Sequence, residues 1–154
     1  MSESAKGGND ALTGVSNTGT GSTVSNLLYG DAESMSGSAK GGNDTLIAGT
    51  AAAGSAVSND MWGDGQLSDG AHGGKDQFVF RDFGPMTVGT QNTVEDFSQS
   101  QHDKIEFSGV AGVQSFADLI ISQVDTATII TAGADQVTLN NFTNPLTAND
   151  FLFV

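Results

Sequence analysis

Three copies of one Gly-rich acidic turn constrain this chain more than any other feature: SAKGGNDAL from Ser4, SAKGGNDTL from Ser38 and GAHGGKDQF from Gly70. A near-fixed period of this length marks stacked copies of one supersecondary unit, because a single copy cannot bury its apolar side. The connecting stretch repeats too, with TVSNLLYGD over 23–31 answered by AVSNDMWGD over 56–64. Each leads apolar and aromatic residues straight into Gly-Asp, so two alternating half-units make one repeat. Asp10, Asn26, Asp44, Asn59 and Asp76 follow one another at nearly even steps. That spacing leaves open whether one rung takes the whole period or half of it.

Apolar residues are unevenly spread. Residues 1–76 hold 9 of Leu, Ile, Val and Phe, and residues 77–154 hold 26. The first half falls below the roughly 20% of these types that a hydrophobic core ordinarily requires. Something else must hold it. The net charge of −13, with 14 of 18 acids being Asp, repels phosphate backbones and anionic lipid, which argues against nucleic acid and membrane insertion, and favours multivalent cations. The chain has no Cys, which excludes disulfides and thiolate metal sites. It opens inside a repeat, at Ser4, so sequence preceding Met1 in a longer parent is expected.

Short strands are predicted at 11–13, 23–29, 45–48, 56–62 and 77–81, where β-branched, aromatic and aliphatic residues cluster between Gly-, Ser-, Asn- and Asp-rich turns. Period-two patterns continue over 93–97, 104–107, 126–131, 136–140 and 151–154. A short helix is predicted over 115–121, with Ser115 as N-cap and Phe116, Leu119 and Ile120 on one face. The expected fold is all-β. Residues 1–80 form a parallel β-roll or β-solenoid with enlarged turns, and residues 81–154 a mostly antiparallel β cap.

The turns have a chemistry of their own. Glycine permits close backbone approach, so successive carbonyl oxygens can face one cavity, and an Asp closing the turn adds a charged oxygen. Such all-oxygen cages suit Ca2+, a hard ion, and suit zinc or copper poorly. Candidate ligands are Gly8 and Asp10, Gly42, Asn43 and Asp44, and Gly74 and Asp76. In the alternate half-unit they are Asn26 and Asn59, with Asp31 and Asp64 just beyond.

These residues resemble the RTX family, the Gly-Asp-rich nonapeptide repeats of pattern G-G-x-G-x-D-x-U-x, which implies a Ca2+-binding β-roll. Gly8, Asp10 and Leu12, then Gly42, Asp44 and Leu46, then Gly74, Asp76 and Phe78 occupy the later Gly, Asp and apolar positions. The two leading glycines are replaced by Ala5-Lys6, Ala39-Lys40 and Ala71-His72. GGKDQFVF running into NTVEDFSQSQHDKIEF is similar to the close of the β-roll in serralysin-type proteases and alginate epimerase R-modules. There Asp96-Phe97 and Asp103-Lys104-Ile105 match a D-F pair and a D-x-I, which implies that Asp96 and Asp103 bind a last ion. The ending Asp150-Phe151-Leu152-Phe153-Val154 resembles the uncleaved signal of type I secretion substrates, which implies export to the medium through that machinery.

No catalytic constellation stands out. His72 and His102 are the only imidazoles, and neither lies in H-E-x-x-H. The serines lack a G-x-S-x-G elbow, and GGND lacks the Lys-Ser/Thr ending of a phosphate loop. The adjacent acids Glu95 and Asp96 point to opposite faces if they lie on a strand. The expectation is a noncatalytic, secreted Ca2+-binding module that folds on meeting extracellular calcium. The alternatives are a Ca2+-dependent polysaccharide-binding module, with Tyr29 and Trp62 as sugar platforms, and a repeat segment of a surface adhesin or surface-layer protein.

Overall fold

The computed structural model describes residues 1, 4–82 and 86–154. Among the described residues, fifteen strands follow in chain order: β1 (Ala11–Thr13), β2 (Thr23–Tyr29), β3 (Ser34–Met35), β4 (Thr45–Ile47), β5 (Thr50–Ala52), β6 (Ala56–Trp62), β7 (Gln66–Leu67), β8 (Gln77–Arg81), β9 (Met86–Val88), β10 (Gln91–Val94), β11 (Lys104–Ser108), β12 (Leu119–Val124), β13 (Ala127–Ala132), β14 (Asp135–Leu139) and β15 (Phe151–Phe153). The main chain alternates between two sheets. One is ordered β1-β4-β8-β11-β15 and the other β12-β13-β14-β10-β6-β2.

The repeat period becomes the stacking register. Leu12 pairs with Leu46 and Leu46 with Phe78 in the first sheet; Asn26 pairs with Asn59 and Asn59 with Asn92 in the second, all parallel. One full coil therefore takes the whole repeat period and contributes one strand to each sheet, which resolves the rung width. The extra length per coil is spent in excursions. Residues 32–41 leave the coil, and their β3 pairs with β7 of the next excursion. Lys6, Lys40 and His72, which stand where the nonapeptide pattern has glycine, are bridged backbone to backbone from coil to coil.

Parallel pairing runs without a break across residue 80, from β8 to β11 to β15 and from β6 to β10 to β14. Antiparallel pairing joins β14 to β13 and β13 to β12, so the C-terminal part mixes both kinds. The helix expected over 115–121 is not there. Phe116–Asp118 make a single 3-10 turn, closed by Ser115 and Asp118, and the chain then enters β12. The β-branched pair Ile120-Ile121 lies on the strand that pairs with β13, and pairing overrides the helical spacing.

Between the sheets, side chains of alternate residues meet in one core: Leu46, Phe78, Ile105 and Phe151 from one side, Leu28, Met61, Val94 and Leu139 from the other. The sparse first half thus contributes a narrow file of apolar residues, and the second half supplies the aromatic bulk. Phe107 lies against Phe80, Phe151 and Phe153, with ring centroids 5.9 to 6.4 Å apart.

Candidate metal centre

Where the chain crosses from β2 to β4, and from β6 to β8, it passes Gly30-Asp31 or Gly63-Asp64, makes its excursion, and returns through Gly41-Gly42-Asn43-Asp44 or Gly73-Gly74-Lys75-Asp76. Stacking then lines up carboxylates along one edge of the coils. Asp44 Oδ1 accepts the Asp10 N–H at 2.6 Å, Asp76 Oδ1 the Asp44 N–H at 2.8 Å, and Asp103 Oδ1 the Asp76 N–H at 2.9 Å. A second file runs beside it. Asp31 Oδ2 accepts from Gly42 N–H and Asp64 Oδ1 from Gly74 N–H, while Asp96 takes the N–H groups of Gly63, Asp64 and Gly65.

Part of this oxygen inventory is unused. Among the described residues, Asp31 Oδ1, Asp44 Oδ2 and Asp76 Oδ2 are buried with no hydrogen-bond partner, and Asp44 and Asp76 are each only 1% exposed. Buried carboxylate oxygens without partners are costly, so a natural chain retains them where something positive completes them. The glycines leave the room. A Cβ on Gly30 would lie 2.3 Å from both Asp44 Oδ2 and the Gly63 carbonyl oxygen; one on Gly41 would lie 2.2 Å from Asp64 Oδ1 and 2.6 Å from Asp31 Oδ2. Carboxylate and carbonyl oxygens therefore converge on spaces that only glycine keeps open. Among the described residues, no three Asp, Glu or His side chains gather as a ready-made cage; Asp31 and Asp64 face each other across the space at Gly41. Further ligands would have to be backbone oxygens. The donor set fits Ca2+: hard, anionic, all oxygen.

Electrostatics point the same way. Burial raises the carboxyl pKa of Asp44 to about 6, of Asp64 to about 7, of Asp76 to about 8 and of Asp103 to about 7, and also raises Asp31 and Asp96. Backbone N–H donors oppose the shift, and neighbouring carboxylates add to it. Asp64 feels Asp96, Asp31 and Asp44, and Asp76 feels Asp64, Asp103 and Asp44. In chelator, the unfolded chain loses these protons near 3.8 while the folded chain keeps them to about 6 to 8. Between those limits the folded state binds more protons. The stability they confer is full below the unfolded value and is lost as pH rises through the folded ones. Thermal melts in chelator are expected to fall steadily from about pH 4 to about pH 8; a midpoint that climbs over that range would rule out uncompensated burial.

Of the residues expected from sequence, Asp31, Asp44, Asp64, Asp76, Asp96 and Asp103 are brought together. Asp10 joins through its N–H, with its side chain exposed. Gly8 and Gly42 are stacked so closely that a Cβ on Gly42 would meet the Gly8 oxygen at 1.4 Å, and Gly74 repeats this against Gly42. Asn43 is exposed, and its side-chain oxygen accepts the Lys75 N–H.

Asn26 and Asn59 lie apart, on β2 and β6, where their side chains bond the turns that follow β1 and β4. Asn26 Nδ2 donates to Asn59 Oδ1 and Asn59 Nδ2 to Asn92 Oδ1, both at 2.9 Å. Their oxygens also take the N–H groups of Val15 and Gly49. This edge is an amide ladder closed on itself. Asn92 is not among the residues that the sequence singles out, although it follows Asn59 by the same step that separates Asn59 from Asn26. That step is the available signal. Tyr29 and Trp62 stack on each other, centroids 4.5 Å apart and planes 13° from parallel.

No family model matches the chain, and no curated protein matches it. Among solved structures it is similar to the extracellular lipase LipA from Serratia marcescens, at 23% identity and a TM-score of 0.47, over 90% of this chain and 21% of that one. It is also similar to a subunit of the mannuronan C5-epimerase from Azotobacter vinelandii, at 22% identity and a TM-score of 0.46, over 87% of this chain and 91% of that one. The chain spans about a fifth of the lipase.

Proposed function

We propose that this chain is a noncatalytic, extracellular Ca2+-binding module of β-roll type, in which cations bridge consecutive coils along the carboxylate edge. The observation that carries this reading is the row of buried oxygens on Asp31, Asp44 and Asp76 that find no partner among the described residues, set against glycines. Asp31, Asp44, Asp64, Asp76, Asp96 and Asp103 would hold the ions, with backbone oxygens such as that of Gly63. Bound Ca2+ supplies positive charge to a buried anionic column. The chain's own part is to present the oxygens, align them by coil stacking and exclude water.

An ion that binds only the folded state stabilises it by RT ln(1 + [L]/Kd) per site. Submicromolar calcium inside a cell supplies almost none of this and millimolar calcium outside supplies much, so the coils would stay loose before export and tighten after it. The export route proposed is type I secretion, tested by whether a host with such an exporter releases the chain to the medium or retains it.

Calorimetric titration of chelator-treated protein with Ca2+ at neutral pH tests the function. Heat is expected together with proton release that varies with buffer ionisation enthalpy, since the raised carboxyls must deprotonate to bind. No heat up to about 10 mM Ca2+, beyond the range of weak extracellular modules, would overturn the reading.

A further inference from the structure

Away from the carboxylate edge, the outer face of the six-stranded sheet is hollowed. Burial alternates along β6, β10 and β14, so Asn59, Asn92 and Val137 turn into the coil while Ser58, Asp60, Gln91, Thr93, Gln136 and Thr138 turn outward. Register sets the outward residues in rows. Gln91 stands beside Ser58, and Thr93 stands between Asp60 and Thr138. A cavity of about 510 Å3 lies over these rows, and another of about 380 Å3 adjoins it, sharing Thr90 and Gln136 and reaching Asp135. Each falls within the roughly 300–1,000 Å3 of small-ligand sites. Together they form a groove across the three strands.

The lining decides what fits. Among the described residues, every side chain lining the larger cavity is polar, and no Lys or Arg lines either one. Thr90 bonds the Val57 backbone and Gln136 donates to Thr131, but Ser58, Asp60, Gln91, Thr93 and Thr138 make no side-chain hydrogen bond among the described residues. Hydroxyls and an amide that both donate and accept, beside a carboxylate that accepts, complement a ligand rich in hydroxyls. An apolar ligand would find no apolar wall in the larger cavity. An anion would meet Asp60 in one cavity and Asp135 in the other, with the chain's cations elsewhere: Lys6, Lys40 and Lys75 precede β1, β4 and β8, and Arg81 and Lys104 lie on β8 and β11. Tyr29 and Trp62, the sugar platforms expected from sequence, line neither cavity, and each gives one ring face to the other.

We propose that this groove binds a neutral hexose polymer, laid across β6, β10 and β14. Asp60 accepts from its hydroxyls, Thr93 and Thr138 donate to and accept from them in the same row, and Ser58 and Gln91 do so in the next. Uncharged sugar is the class that this lining admits, since a uronate would bring carboxylates against Asp60 and Asp135. The groove uses none of the carboxylates that face the cations, so it stands apart from the calcium reading.

Calorimetric titration of the full chain in millimolar calcium with cellohexaose, mannohexaose and maltohexaose tests the proposal, with a hexauronate as the anionic probe. At least one neutral hexasaccharide is expected to bind, and the hexauronate is not. Thr93→Tyr, which fills the row between Asp60 and Thr138, is expected to abolish that binding, and Asp60→Asn to weaken it about tenfold or more. Both side chains turn outward, so both variants should keep the parent far-ultraviolet circular dichroism. Glu106→Gln, on the other sheet, is expected to keep the parent affinity. No binding of any neutral hexasaccharide up to about 10 mM overturns the proposal. So does a hexauronate that binds as tightly as any of them, or binding that survives unchanged in both groove variants.

Discussion

Asp76→Asn is expected to reverse its sign with calcium. In chelator near pH 8 the variant melts above the parent, and in millimolar calcium it melts below. Asp76 is 1% exposed, one of its oxygens has no partner among the described residues, and burial with Asp64, Asp103 and Asp44 around it raises its pKa to about 8. An amide of the same shape keeps the oxygen that accepts the Asp44 N–H and removes the charge that burial penalises. The same exchange removes an anionic ligand. At calcium a hundredfold above Kd, one lost site forfeits about 2.7 kcal/mol, which in a chain of this size lowers the melting midpoint by about 5–10 °C. Melts followed by circular dichroism in both buffers decide it. A variant that melts below the parent in chelator as well would show that Asp76 serves hydrogen bonding alone.

Gly74→Ala is expected to cost about 3 kcal/mol or more, whereas Gly8→Ala, at the same place in the repeat, costs less than about 1 kcal/mol. A Cβ on Gly74 would meet the Gly42 oxygen at 1.4 Å, a backbone atom of the neighbouring coil that cannot yield without separating the two. At Gly8 the nearest atom is Asp10 Oδ2 at 3.2 Å, the far end of an exposed side chain. Neither glycine has a positive φ, so the difference measures stacking rather than backbone freedom. Urea unfolding of both variants reads it directly, and equal costs would mean that coils do not approach this closely.

The repeat makes much of the architecture legible. β1, β2, β6 and β8 run over the residues expected of them, because matched copies bracket each strand with turns. The short strands β3, β5, β7 and β9 have no counterpart in the sequence pattern: they exist only because excursions from neighbouring coils meet, which no local pattern encodes. The width of a coil is undecidable from the repeat alone, since a period says how often a unit recurs and not which half lies over which. The Asp file is visible as turn-closing acids. Which of its oxygens are spent is not. Asn43, Asn26 and Asn59 look like ligands by residue type, yet each amide oxygen already accepts an N–H. At 115–121, an N-cap and helical apolar spacing lose to an available partner strand.

The pairing of β11 with β15 joins Ile105 to Phe151, and that of β10 with β14 joins Val94 to Leu139. These late segments also carry most of the ring packing, through Phe107, Phe142, Phe151 and Phe153. A ribosome delivers Phe151 after the coils, so the sparse early coils leave the tunnel before the aromatic platform on which they settle has been made. Structure in this molecule is therefore expected to be acquired in the reverse sense to its synthesis, the aromatic-rich late segments gathering first and the coils winding back toward Asp10.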